Sequence, residues 1–95
     1  MVKVVAKHFV KKDKIQEMLS VVKELVAITI KQQGCINYEM YQDEKDKSIL
    51  TMIEEWNTRE DLTNHLNSNE FKSLAPQLEK FMDKPVEINI YKKVI

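Results

Sequence analysis

The sequence is poor in residues that punctuate or cross-link a chain. Its 95 residues include one glycine (Gly34), two prolines (Pro76 and Pro85) and one cysteine (Cys35). A lone cysteine excludes an intramolecular disulfide and a Cys-rich metal centre, and it suits a reducing, cytosolic compartment. With so little Gly and Pro there is no linker, no low-complexity segment and no internal repeat, so residues 1–95 read as a single domain. Neither charge sign dominates: Lys and Arg number 15, Asp and Glu number 15, and the formal net charge is zero. That balance lacks the basic footprint of a nucleic-acid binder. No apolar run approaches the length that spans a bilayer. The first ten residues, MVKVVAKHFV, are charged and alternating, unlike a signal peptide. The expectation is a cytoplasmic protein with neither nucleic acid nor membrane as a partner. A chain this short buries only a small core, for which oligomerisation is a common remedy.

Hydrophobic periodicity supplies the elements. Val2 to Val10 is valine-rich and alternates, placing Val4, Ala6 and His8 on one face of a strand and Lys3, Val5, Lys7 and Phe9 on the other. From Asp13 to Gln33 the period changes to three and four, through Ile15, Met18, Leu19, Val22, Leu25 and Val26. This predicts an amphipathic helix of about five turns, with Asp13 as N-cap and Gly34 as the left-handed stop. Cys35 to Gln42 and Ser48 to Trp56 read as an antiparallel hairpin around the polar turn DEKDKS. Thr58, with Asp61 three residues on, resembles a capping box for a short helix bearing Leu62, His65 and Leu66. Ser68 or Asn69 can cap another short helix carrying Phe71, Leu74, Leu78, Phe81 and Met82. Pro76 is expected to kink it or restart it near Ala75. Val86 to Val94 is the last strand. The order β-α-β-β-α-α-β is an α+β, ferredoxin-like split βαβ arrangement with a four-stranded antiparallel sheet. Helices on one face would leave Val5 and Phe9 on an apolar outer face, the kind of patch that marks a partner surface.

With the elements in this order, the sequence resembles the antibiotic biosynthesis monooxygenase family of dimeric α/β-barrel proteins, including the small quinol monooxygenases. The resemblance rests on GCINYEMYQD (34–43), EEWNTREDLTNHLNSNEF (54–71) and PVEINIY (85–91), and it covers nearly the whole chain. These hold the family's Gly-Cys-x-x-Tyr strand, its Glu-Glu-Trp strand end, and a His followed six residues later by Phe. The resemblance implies a homodimer whose sheets pack into a barrel, each subunit keeping a cavity between sheet and helices. Some members oxygenate quinols or polycyclic phenols with dioxygen and no flavin, haem or metal. Others degrade haem, isomerise small signalling sugars, or have no established activity. The haem degraders use a His ligand downstream of a Trp. Those positions fall near Ala75 and on His65 in this chain, so haem degradation is disfavoured.

His65 is the expected catalytic residue. An imidazole among Leu62, Leu66 and Leu74 would titrate near neutrality and take a phenolic proton as general base. The plainer reading is a histidine hydrogen-bonded at a helix end. Trp56 would stack on a flat aromatic substrate, although a core anchor is the stronger expectation. Tyr38 would offer its hydroxyl to a substrate oxygen, and Phe71 would help shape the pocket; strands favour Tyr for packing alone, and Phe71 reads as core first. His8 would join His65 in the cavity. No metal is expected, because a stable site takes about three or four ligands and no spacing here provides them. Glu39 and Glu55 read as cross-strand salt-bridge partners, and Cys35 as a small buried residue. The functional expectation is a cofactor-independent monooxygenase acting on a small quinol or polyphenol with dioxygen. The alternatives are an isomerase on the same scaffold, or a dimeric binding or stress-response protein without catalysis.

Overall fold

The computed structural model describes all 95 residues. Its elements are β1 (Val2–Phe9), α1 (Ile15–Thr29), β2 (Cys35–Gln42), β3 (Ile49–Trp56), α2 (Arg59–Leu66), α3 (Asn69–Leu78), a 3₁₀ turn (Glu79–Phe81) and β4 (Glu87–Lys92). The strands form one sheet in the order β2-β3-β1-β4, every neighbouring pair antiparallel. This is the expected split βαβ fold. No helix is long and apolar enough to cross a membrane.

The pleat sorts each strand into two faces. Along β3 burial alternates without exception: Leu50, Met52, Glu54 and Trp56 are buried, and the residues between them are half-buried. Val4, Ala6 and His8 of β1 join the inner face, which meets Met18, Val22 and Leu25 of α1 and Leu62 and Leu74 of the two short helices. Trp56 is fully buried, so the core-anchor reading holds. The outer face is less bare than the strand pattern suggests. Val5 pairs with Ile53 and Phe9 with Ile49, all four half-buried. The Lys84 ammonium lies 3.9 Å from the centre of the Phe9 ring, and Lys3 bridges Glu55 at 3.1 Å as the cross-strand pair foreseen for Glu55.

Three local expectations change. Helix α1 starts later than Asp13: Lys14 stands at its N-cap, and no side chain caps it. It also ends before Gln33. Lys31 donates to the Ile28 carbonyl and Gln32 to that of Thr29, bonds of the i to i+3 kind that tighten the turn beyond the α-helix. Helix α3 continues through Pro76. Proline removes the N–H that would bond the Lys72 carbonyl, but Lys72 is exposed and water can take that bond. The last strand is shorter than Val86 to Val94, and all six of its residues are exposed; β4 is an edge strand, hydrogen-bonded on one side only, to β1.

The caps and the stop behave as the residue types dictate. The Thr58 hydroxyl accepts from the Asp61 N–H at 3.0 Å, and the Ser68 hydroxyl accepts from the Phe71 N–H at 3.2 Å. Gly34 holds the chain's positive φ, +79°. A Cβ there would run into the Asp61 side chain.

Candidate active site

A cavity of about 600 Å³ opens between the inner face of the sheet and the helices, a size usual for small-molecule sites. Sixteen of its 22 lining residues are hydrophobic, so the cavity is mostly apolar. Its polar wall groups are few: His8 on β1, Tyr38 on β2 and Glu54 on β3, with Glu79 and Lys84 also in the lining.

Glu54 occupies the inner face because β3 has period two, and its register puts it directly opposite Tyr38 of β2 and Val4 of β1. Its Oε1 accepts a hydrogen bond from the Trp56 indole N–H at 2.9 Å. Burial raises the carboxyl to about 7, against the pull of the indole bond. Near neutrality Glu54 is therefore divided between acid and carboxylate, which suits a group that takes a proton and returns it. Burial, and next the Glu54 charge, push the Tyr38 phenol far above its ordinary value, so it stays protonated. His8 donates from Nδ1 to the Leu50 carbonyl at 3.2 Å, since a carbonyl only accepts. Burial lowers its pKa, partly offset by the carbonyls of Leu50 and Ala6. The neutral ring keeps its lone pair on Nε2, which makes no hydrogen bond within the chain.

The sequence-predicted residues divide. Tyr38, Phe71 and His8 line the cavity; His65 and Trp56 do not. The His65 ring packs 5.3 Å from Tyr38, 4.7 Å from Trp56 and 4.7 Å from Phe71, between ring centres. It is 2 % exposed. The Gln32 amide fixes its tautomer: its nitrogen donates to the Ser68 hydroxyl, so its oxygen accepts from His65 Nδ1–H at 2.7 Å. Nε2 is left buried with no partner, and burial lowers the imidazole to about 4. A proton acceptor that weak, set behind Tyr38 and Phe71, is poorly suited to deprotonate a ligand in the cavity. The pairing of His8 with His65 inside one cavity does not occur. No three of the His, Cys, Asp and Glu side chains gather as a metal-binding group.

The residue that the sequence reading passed over is Glu54. It lies inside the Glu-Glu-Trp strand end, and the signal was the alternation itself: a carboxylate two residues from Met52 and two from Trp56 must share their buried face.

The comparisons with known proteins agree with this architecture. The family model described as antibiotic biosynthesis monooxygenase matches residues 1–77. An uncharacterised protein of Synechocystis is 30% identical over 83 residues, 87% of this chain and 56% of the relative. The chain thus spans little more than half the length of that curated relative. A conserved protein from Methanosarcina mazei Go1 superposes with a TM-score of 0.96 at 44% identity, covering 98% of this chain and 92% of that one. A structure described as antibiotic biosynthesis monooxygenase gives 0.94 at 29% identity, with both chains fully covered.

Proposed function

The chain belongs to the antibiotic biosynthesis monooxygenase family, and on that premise we propose that its cavity binds a quinol or polyphenol and oxygenates it with dioxygen, without a bound cofactor. The observation that carries the reading is the Glu54 carboxyl, titrating at about 7 on the wall of a mostly apolar cavity. Glu54, and not His65, is the proton acceptor in this proposal.

The chemistry balances without an outside reductant. Glu54 takes the hydroxyl proton, and the resulting phenolate delivers electrons from its ring carbon to dioxygen, forming a C–O bond and a peroxide. Glu54 returns the proton to the outer peroxide oxygen. The O–O bond then breaks, and water leaves with the hydrogen of the attacked carbon. A quinol and dioxygen become a hydroxyquinone and water: the substrate loses four electrons and dioxygen gains four. The apolar walls exclude water from the reactive adduct, and Tyr38 and Phe71 hold the ring.

Oxygen uptake by the purified protein with a panel of quinols tests the proposal. Uptake with stoichiometric hydroxyquinone, lost in Glu54→Gln, is the expected result. No uptake with any quinol would overturn it. Turnover that persists without oxygen would point to an isomerase.

Two copies are proposed to pair through the outer sheet faces, on the support of the cross-strand apolar pairs Val5–Ile53 and Phe9–Ile49, which flank Lys7–Thr51. The unpaired Cys35 supports placing the protein in a reducing, cytoplasmic compartment.

A further inference from the structure

The chain has five methionines, and three of them, Met40, Met52 and Met82, line the cavity. Met40 of β2 and Met52 of β3 stand directly opposite each other, and Met52 is in turn opposite Ala6 of β1, which also lines the cavity. Cross-strand partners share a face and their side chains meet, so the two thioethers form one sulfur-bearing strip of the wall. Met52 is 3 % exposed, and the cavity is the side from which a small molecule meets it. The remaining two methionines are references within the same chain. Met18 is fully buried in the core and does not line the cavity, and Met1 is 56 % exposed. Elsewhere in the wall Leu62, Leu66 and Ile88 fill space with branched hydrocarbon. A thioether adds to this a soft, oxidisable sulfur.

We propose that the Met40–Met52 pair is an oxidation site for apolar organic hydroperoxides, which the cavity holds by their hydrocarbon part. The sulfur lone pair attacks the outer peroxide oxygen. An S–O bond forms as the O–O bond breaks, and the hydroxyl proton passes to the departing alkoxide. One hydroperoxide and one methionine become one alcohol and one sulfoxide: the sulfur loses two electrons and the peroxide gains two. The sulfoxide is polar where the thioether was apolar. The oxidised wall therefore holds apolar ligands less well, and the cavity is shut down by the oxidant it admits. The inference stands apart from the quinol reading, since it needs only an apolar cavity with sulfur in its wall.

Limited oxidation of the folded wild-type protein, read by peptide mass spectrometry, tests the site. The two oxidants are cumene hydroperoxide and hydrogen peroxide. Met1 reports the rate of a free thioether, and Met18 that of a sealed one. Burial of about 60 Å² of hydrocarbon raises occupancy of the cavity about tenfold. The ratio of the Met52 rate to the Met1 rate should therefore be at least about tenfold higher with cumene hydroperoxide than with hydrogen peroxide. Met40 should follow Met52, and Met18 should stay unoxidised with both. An equal ratio for the two oxidants overturns the proposal, and so does a Met52 as protected as Met18. The fluorescence of 8-anilinonaphthalene-1-sulfonate, a reporter of apolar cavities, reads the shut-down. Treatment with cumene hydroperoxide should weaken its binding to wild type and leave the doubly substituted Met40→Leu, Met52→Leu protein unchanged. Equal weakening in both proteins, or in neither, overturns the shut-down. The mapping needs wild type alone, so it decides the site even where the variant does not fold.

Discussion

Trp56 donates its indole N–H to Glu54 across 2.9 Å, from two residues along the same strand and the same buried face. The bond stabilises the carboxylate and so works against the burial that raises Glu54 to about 7. Trp56→Phe keeps an aromatic anchor and removes the donor. The Glu54 pKa should then rise, and the acid limb of the pH–rate profile for oxygen uptake should move upward from about 7. An unmoved limb would show that Glu54 is not the group whose ionisation the rate follows.

Glu54→Gln retains the shape of the side chain and an oxygen for the indole bond but cannot take a proton. Loss of a positioned general base lowers rates by roughly 10²–10⁴-fold. The expected result is a fall of at least about a hundredfold in kcat with little change in far-UV circular dichroism. His65→Gln should slow turnover far less. The reverse order would restore His65 as the base.

The two largest contributions to the pH dependence of stability are opposed, and the lowering of His8 by burial adds to the one that rises with pH. Glu54 is raised from 4.5 to about 7. Between those values the folded state holds a proton that the unfolded state has released, so stability falls as pH rises through the window. His65 is lowered from 6.5 to about 4. There the unfolded state holds the extra proton, so stability is complete above 6.5 and is lost as pH falls towards 4. Each contribution is on the order of 3 kcal/mol, and over the shared range they nearly cancel. Wild type should show a shallow profile between about pH 4.5 and 6.5. Glu54→Gln should expose the rising limb, and His65→Gln the falling one. Urea midpoints at half-unit pH steps check this; parallel profiles for all three proteins would contradict the assignment.

Gly34→Ala should destabilise the fold by about 1–2 kcal/mol from the left-handed backbone alone, and by more because the new Cβ meets Asp61. Chemical denaturation reads the loss. Thr58→Ala, which removes only the cap hydroxyl, should cost about 1 kcal/mol.

Ile53→Lys places a charge beside Val5 on the outer sheet face. If two copies pair there, the variant should sediment as a monomer while wild type sediments as a dimer. Identical sedimentation of the two would remove this face as the interface.

The sequence by itself determined the fold. Alternation wrote the strands, the three-four period wrote α1, Thr58 and Ser68 capped their helices, and Gly34 supplied the left-handed turn. These signals are local, because each arises from backbone geometry within one element or at its ends. The cavity was less legible. Tyr38, Phe71 and His8 were identified in advance and do line it. Trp56 and His65 were identified by residue type, and only packing decided that both lie behind the wall. His65 illustrates the reason. Its chemistry depends on Gln32, which is 33 residues away, and on three aromatic rings brought together from β2, β3 and α3. Glu54 was open to view in the period of β3, but its elevated pKa was not, because desolvation is set by everything that packs around a group. The pairing of Met40 with Met52 likewise follows from the β2–β3 register, a relation between strands that no single segment contains.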